Sequence, residues 1–238
     1  MTVDQQGPAE NPTAAGAPER RRRTFGLALI LVLLGALLAG VGGAFLATDF
    51  HVYTATGGTM APTIAPGAKV VVQHVGASSL GRGDVVVVDS SAWGFRELTF
   101  RRIIGLGGDT VACCTAGRVT VDGKPLAEPY TGSANDGRPA YSVAVPAGRL
   151  FLLADARGSA VDSRLNLSSG QGTLPASAVK GRVVWRAGGG PVDGQAGPLR
   201  IDVGLLALGL LLLGLGLLAL LARAAVLLSR SVRSSRGA

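Results

Sequence analysis

A hydroxyl in a glycine-rich loop is the first feature of this sequence that could do chemistry. Thr59 follows Gly57-Gly58 and precedes Met60-Ala-Pro-Thr, a Pro-Gly pair and a run of valines. Glycines let a backbone N–H and a hydroxyl approach a substrate carbonyl closely. The segment is therefore typical of a loop that presents one hydroxyl to a substrate in front of a rigid strand.

Two further segments carry charge at spacings that could support such a loop. The first is Arg101-Arg102-Ile-Ile-Gly-Leu-Gly-Gly-Asp109, and the second is the stretch from Leu153 to Arg164. Taken singly, each has a plain structural explanation. The first is a strand that ends in a tight turn, and the second is a solvated loop after an apolar strand.

Metal and cofactor chemistry is not expected. The chain has two histidines and neither a Cys-x-x-Cys nor a His-Glu-x-x-His motif. His74 falls in a valine run, where a structural role is the favoured interpretation. Cys113 and Cys114 are predicted to be two small buried residues of a strand, with a vicinal disulfide as the alternative.

The elements that must position these residues are short strands. Gly and Pro interrupt the central sequence about every ten residues, and helical periodicity there is poor. Predicted strands are 51–56, 69–75, 84–88, 97–104, 118–124 with a hairpin turn at Asp122-Gly123, 149–154 and 179–185. The fold class predicted is a mainly β, short-stranded antiparallel domain.

Two uncharged apolar runs flank this domain. They predict transmembrane helices over 25–48 and 203–222, each long enough to span a bilayer. The first exceeds the apolar core of a cleaved signal peptide, so an uncleaved anchor is favoured. The remaining segments are predicted as a disordered tail (1–24), the β domain (49–186), a Gly-rich linker (187–202) and a basic tail (223–238).

The distribution of charge predicts the orientation and excludes one class of partner. The net charge is +8, with Arg20–Arg23 before the first run and four arginines after the second. This pattern places both termini in the cytoplasm and the β domain outside the cell membrane. Residues 49–200 contain 15 basic and 11 acidic residues, with no basic patch interleaved with aromatics, so no nucleic-acid partner is expected.

Taken together and in order, the motifs resemble the type I signal peptidase family. The nucleophile box of that family appears as Thr59-Met-Ala-Pro62-Thr63, and the others as Gly83-Asp-Val-Val86, Arg101-Arg-Ile-Ile-Gly-Leu-Gly-Gly-Asp109 and Ala154-Asp-Ala-Arg-Gly-Ser-Ala-Val-Asp-Ser-Arg164. The resemblance spans residues 53–185. It implies a membrane-bound endopeptidase that removes signal peptides from exported proteins by means of a Ser–Lys dyad.

This sequence departs from the family at the reacting groups. Thr59 stands at the serine nucleophile and Arg101 at the lysine base, while Gly57 and Ala160 stand where an oxyanion-binding hydroxyl and a lysine-orienting serine are often found. The threonine methyl restricts χ1. A guanidinium stays protonated in proteins, so Arg101 cannot accept a proton.

The residues that support the family's site are retained. They are Met60, Pro62, Arg102, Asp155, Arg157, Asp162, Ser163 and Arg164. The favoured hypothesis is therefore a pseudoprotease that binds signal peptides, exported preproteins or another partner, an active paralogue being left open. The alternatives are an active peptidase that uses Thr59 with Lys69 or His74 as base, and a membrane structural protein without enzymatic activity.

Overall fold

The computed structural model describes residues 17–115, 117–131, 140–192 and 197–235. They divide into two compact units, a pair of helices and the β domain Phe45–Arg200. The helices are α1 (Ala17–Asp49) and α2 (Gly197–Ser235). The strands are β1 (Phe50–Thr54), β2 (Lys69–Gln73), β3 (Val85–Asp89), β4 (Leu98–Leu106), β5 (Thr110–Thr115), β6 (Arg118–Val121), β7 (Lys124–Pro125), β8 (Tyr141–Ala144), β9 (Arg149–Leu153), β10 (Leu174–Pro175), β11 (Val179–Arg186) and β12 (Gly190–Pro191).

Both helices are long and apolar enough to cross a membrane, over Arg22–Asp49 and Leu199–Ser229. They are longer than the predicted spans because arginine favours helix, so the basic flanks continue the helical backbone. The predicted linker also differs from the structure. Part of it returns as β12 to pair with β11, and α2 begins at Gly197. Residues 1–16, 193–196 and 236–238 of the predicted tails and linker lie outside the described residues.

The two helices pack antiparallel along glycines spaced seven residues apart. Gly35 and Gly42 of α1 face Leu213 and Leu206 of α2, and Gly209 of α2 faces Ala39 of α1. A β-carbon at Gly35, Gly42 or Gly209 would collide with backbone atoms of the other helix. Close approach of backbones is the usual basis of helix association in membranes, where hydrophobic burial gives no driving force between helices.

The β domain is antiparallel throughout its described strands, as the sequence predicted. The larger sheet has the order β1-β2-β11-β3-β4-β9-β10, with β12 paired to β11. The smaller sheet has the order β7-β6-β5-β8. The predicted hairpin at Asp122-Gly123 is present, and both residues have positive φ. Strand β8 of the smaller sheet was missed by the sequence analysis, which had predicted a strand at Cys113 and Cys114, in β5, without giving its bounds.

Strands β3, β4 and β9 are consecutive in the larger sheet and carry the predicted site. Val85 to Val88 of β3 are all buried, which explains the unbroken valine run in place of an alternating pattern. In the register, Val86 lies opposite Arg101 and Val85 opposite Arg102. Two buried arginines are therefore fixed on β4, between β3 and β9.

Two cysteines and one histidine differ from expectation. Cys113 and Cys114 on β5 are half-buried and are joined by a disulfide, the alternative that the sequence analysis disfavoured. Adjacent side chains of a regular strand point to opposite faces, but the register of β5 against β6 shifts between Cys113 and Thr115, so the strand is irregular where the two sulfurs meet. His74 lies one residue beyond β2 and is exposed, because the valine strand ends at Gln73.

Candidate functional site

The site is built where the Thr59 loop meets β4 and the loop after β9. The Thr59 loop is held at its start by β1 and at its end by β2, whose edge pairing fixes Thr54 opposite Lys69. Met60 and Ile64 anchor it, because both side chains are buried in the core below. The carbonyl of Thr59 accepts a hydrogen bond from the backbone N–H of Ala156, at 3.0 Å.

Thr59 and Arg101 are in direct contact, although 42 residues separate them in the chain. The Arg101 guanidinium donates from Nη1 to Thr59 Oγ1 at 3.2 Å. It also donates to the carbonyl oxygens of Phe100 and Val161, each at 2.5 Å. The structure thus places a charged donor against the hydroxyl oxygen, where activation of a nucleophile would need a proton acceptor.

Arg101 is buried without an opposite charge at bonding distance. The residue is 5% exposed, and among the described residues it makes no ion pair within 4 Å. Its Nε has no hydrogen-bond partner. Burial lowers the pKa of Arg101, and the nearby Asp162 opposes that shift. A guanidinium starts from so high a pKa that it remains protonated.

Two other buried arginines are neutralised by aspartates. Arg102 binds Asp155 through Nε at 2.9 Å and Nη2 at 2.8 Å, and Thr63 Oγ1 donates to the same carboxylate at 2.5 Å. Arg164 binds Asp162 through Nε at 2.8 Å and Nη2 at 2.7 Å. Both pairs are bidentate, which is the arrangement that best offsets the cost of burying charge.

The third ion pair of this cluster joins Arg157 to Glu128, a residue outside the family motifs. Arg157 donates to the Glu128 carboxylate from Nη2 and to the Ala154 carbonyl from Nε. Tyr130 donates to Glu128 and presents its ring to the Arg102 guanidinium, at 3.8 Å from the ring centroid. The sequence analysis missed Glu128 and Tyr130, because nothing in the spacing of a single chain links residues 128–130 to residues 102 and 157.

The remaining predicted site residues have identifiable structural positions. Ser163 Oγ accepts the backbone N–H of Leu152 at 2.8 Å, tying the charged loop to β9. Ala160 is 1% exposed and packs in the core cluster that includes Met60. Gly57 is exposed, and a β-carbon added there would have no atom within 4 Å. A serine at position 57 would therefore fit without rearrangement.

Neither alternative base contacts the hydroxyl of Thr59. Lys69 and His74 are both exposed, and in the described part of the chain no hydrogen bond joins either of them to Thr59. Lys69 lies at the start of β2, opposite Thr54. Arg101 is the only side chain of the described residues that is hydrogen-bonded to Thr59 Oγ1.

A groove of about 550 Å³ opens beside the loop that carries Thr59. Its lining consists mainly of small residues: Ala61, Pro62 and the segment 155–159. The backbone of Thr59 is tied to this lining, because the N–H of Ala156 donates to the Thr59 carbonyl, but Thr59 is not one of the lining residues. The groove is large enough for several atoms of an extended peptide with small side chains.

Comparison with known proteins identifies the class to which this fold and site belong. Residues 24–187 match the family model described as "Signal peptidase, peptidase S26". Signal peptidase I of Bacillus licheniformis is 30% identical over 149 residues, which cover 57% of this chain and 76% of that protein. The probable signal peptidase I of Mycobacterium leprae is 36% identical over 127 residues, 41% of this chain and 44% of that protein.

A solved structure, a signal peptidase I from Enterococcus faecalis, is also similar. It is 24% identical, with a TM-score of 0.37, over 44% of this chain and 96% of that chain. On the match of the family model, this chain belongs to the type I signal peptidase family. It is a member with threonine at position 59 and arginine at position 101.

Proposed function

We propose that this protein is a membrane-anchored pseudoprotease that binds the cleavage region of exported proteins without hydrolysing it. The observation that carries the proposal is the hydrogen bond from Arg101 Nη1 to Thr59 Oγ1. A dyad base must accept the hydroxyl proton, whereas a guanidinium has five donors and no acceptor. Attack by Thr59 would therefore have no base among its described neighbours.

The surroundings support retained binding. The three ion pairs of the site are intact, and the groove beside Thr59 is open. A scaffold without function would have no need to keep several buried charges, since each such pair is costly to assemble. We propose accordingly that signal-peptide-bearing preproteins bind in this groove, with α1 and α2 as membrane spans and the β domain on the outer face.

The test is a cleavage assay with purified full-length protein and a preprotein. The natural sequence, Thr59→Ala and Thr59→Ser/Arg101→Lys are compared, with Gly57→Ser and Ala160→Ser added to the double variant. We expect no cleavage by the natural sequence and measurable cleavage only after reversion. A lysine at position 101 can lose its proton when burial lowers its pKa, which arginine cannot do.

Each alternative predicts a different result in the same experiment. An active peptidase would cleave with the natural sequence and lose activity in Thr59→Ala, and Lys69→Met or His74→Gln would then identify its base. A membrane structural protein would neither cleave nor bind a labelled signal peptide, and reversion would not restore activity. Binding without cleavage by the natural sequence is the outcome that supports a pseudoprotease.

A further inference from the structure

One end of the helix pair holds an arginine against the neighbouring helix. Gly216 of α2 packs on Ala28 and Val32 of α1, and Arg223 lies about two helical turns further along α2. The Arg223 guanidinium lies over the ring of Phe25, with its Cζ 5.0 Å from the ring centroid. A cation at this distance from an aromatic face is attracted to it, so Arg223 is held on α1.

The charge of Arg223 is not balanced within the part of the chain that the structure describes. There, Nη1 is enclosed without a hydrogen-bond partner, and no carboxylate lies within 4 Å of the guanidinium. The side chain is only half-buried, and Nε and Nη2 are not enclosed. Arg223 falls inside the candidate span Leu199–Ser229, where an ionised side chain needs a partner.

A second arginine lies on the same face of α1 as Phe25. Arg22 is exposed and precedes Phe25 by three residues, and side chains three apart are neighbours on a helix surface. The sequence around them is strongly cationic. Residues 17–48 contain four arginines against one glutamate, and residues 203–238 contain four arginines against no acidic residue. An anion that neutralises Arg223 must therefore come from outside α2.

We propose that this end of the helix pair binds the phosphate of an anionic phospholipid headgroup between Arg223 and Arg22. A phosphate diester has one negative charge and oxygens that only accept, and the planar fork of arginine matches two such oxygens. Basic sites between helices at a membrane edge are typical of acidic headgroup recognition. The inference is independent of the proposed function and requires only that α1 and α2 span a membrane.

A lipid reaches this site without an entry path. Lipids surround any pair of spanning helices, and the open Nε and Nη2 of Arg223 face away from the enclosed Nη1. Diffuse attraction of a basic flank to an acidic membrane would treat all its arginines alike. A bound headgroup would instead depend most on Arg223, the arginine that Phe25 holds in place.

The test is displacement of a fluorescent phosphatidylglycerol from full-length protein in non-ionic detergent. Salt at about 0.3 M screens diffuse attraction. The competitors are unlabelled phosphatidylglycerol, phosphatidylcholine with the same acyl chains, and glycerol phosphate as the soluble source of the same chemistry. We expect phosphatidylglycerol to compete about tenfold better than phosphatidylcholine, as for hydrogen bonds to a charged group, and glycerol phosphate not to compete.

The variants separate a site from the general charge of the flank. Arg223→Gln should lower the affinity for phosphatidylglycerol about tenfold. Arg233→Gln is the matched control, because it removes the same charge from the same flank, about 15 Å further along the helix axis. That variant should lower the affinity less than about twofold in the same salt. The natural protein compared with the two lipids gives an answer that does not depend on the folding of any variant.

The result in each arm is decisive. Equal competition by the two lipids would show that the headgroup charge is not recognised, and would overturn the inference. Competition by glycerol phosphate as strong as that by phosphatidylglycerol would mean a site for soluble phosphate and not for lipid. Equal losses in Arg223→Gln and Arg233→Gln would mean diffuse attraction without a site. None of these results bears on peptide binding, so the proposed function is tested separately.

Discussion

At the scale of single residues, the chemistry of this site depends on which basic residue stands at position 101. Thr59 keeps a hydroxyl and Arg101 keeps a positive charge, yet their hydrogen bond runs from the guanidinium to the oxygen. A lysine can alternate between donor and acceptor, whereas arginine only donates. Activation of a nucleophile would need a proton acceptor at position 101. Arg101 is instead a donor, and the Thr59 hydroxyl oxygen is its acceptor.

Removal of charge should cost much more at one of the two adjacent arginines of β4 than at the other. Arg102→Met leaves the fully buried Asp155 carboxylate without its cation, which should destabilise the β domain by about 3–5 kcal/mol. Arg101→Met removes an unpaired cation and should cost at least about 2 kcal/mol less, since no carboxylate is left alone.

Urea unfolding followed by tryptophan fluorescence measures this difference. Both tryptophans of the chain, Trp93 and Trp185, lie in the β domain, so the signal reports that unit. Equal destabilisation by the two variants would contradict the assignment of Arg101 as the uncompensated charge.

At the scale of elements, a charged turn joins the two sheets. Asp109 accepts from Arg82 Nε and Nη2 at 2.7 and 2.5 Å, and from the backbone N–H of Leu106 at 2.7 Å. Gly108 adopts a φ of +100°, which only glycine takes up readily, and it turns the chain from β4 to β5. The Asp109 carboxylate thus locks the connection between the site-bearing sheet and the smaller sheet.

This turn should make stability depend on pH in the acid range. The hydrogen bond from Arg82 lowers the pKa of Asp109, against the effect of burial. A lowered pKa in the folded state contributes stability above the ordinary value near 3.9, and that contribution is lost as the pH falls through the folded value. Asp109→Asn should cost about 1 kcal/mol at pH 7, and the difference from the natural protein should shrink below pH 4.

Unfolding of both proteins at pH 7, 4 and 3 checks this prediction. Asp122→Asn serves as the control, because Asp122 contacts the same Arg82 but its side chain is 48% exposed. Exposed pairs contribute little, so this variant should show a smaller loss at pH 7. A constant difference between Asp109→Asn and the natural protein across the three pH values would contradict the prediction.

The glycine contacts between α1 and α2 make a second prediction about elements. Gly35→Leu or Gly209→Leu should separate the helices, because their added side chains collide with backbone atoms. Gly40→Leu should be tolerated, since a β-carbon there has no neighbour within 4 Å. Overpacking of this kind costs about 1–3 kcal/mol.

Cleavage at a protease site inserted at 193–196 measures the helix association. After the cut, α2 remains attached in detergent only through its packing. The natural sequence and Gly40→Leu should co-elute with α2, whereas Gly35→Leu should lose it. Loss of α2 from Gly40→Leu as well would show that the glycines do not set the contact.

At the scale of the whole molecule, we propose that the two antiparallel candidate spans return the chain to the side of the membrane from which it started. Arginines precede α1's apolar segment and follow that of α2, which favours cytoplasmic termini. An impermeant protease added to intact cells should therefore digest the β domain and spare a C-terminal tag. Inside-out vesicles should give the reverse pattern, and removal of the tag from intact cells would contradict the orientation.

The sequence by itself determined the kinds of element and the family, and it predicts which positions would react. Long uncharged runs can only be satisfied as helices in lipid, and interrupted valine runs favour short buried strands, so both were predictable from local pattern. The ordered boxes around Thr59 and Arg101 are sufficient to indicate the family. That Thr59 retains a hydroxyl and that Arg101 cannot accept a proton follows from the residue types alone.

Only the tertiary structure decided how these residues are paired. Strand register brings Arg101 to Thr59, and long-range packing assigns Asp155, Glu128 and Asp162 to three other arginines. Side-chain pairing depends on contacts between residues far apart in the chain, and local pattern carries no information about such contacts. For the same reason the unpaired charge of Arg101 and strand β8 were not predictable from the sequence, and the choice between free and bonded cysteines at 113 and 114 stayed open.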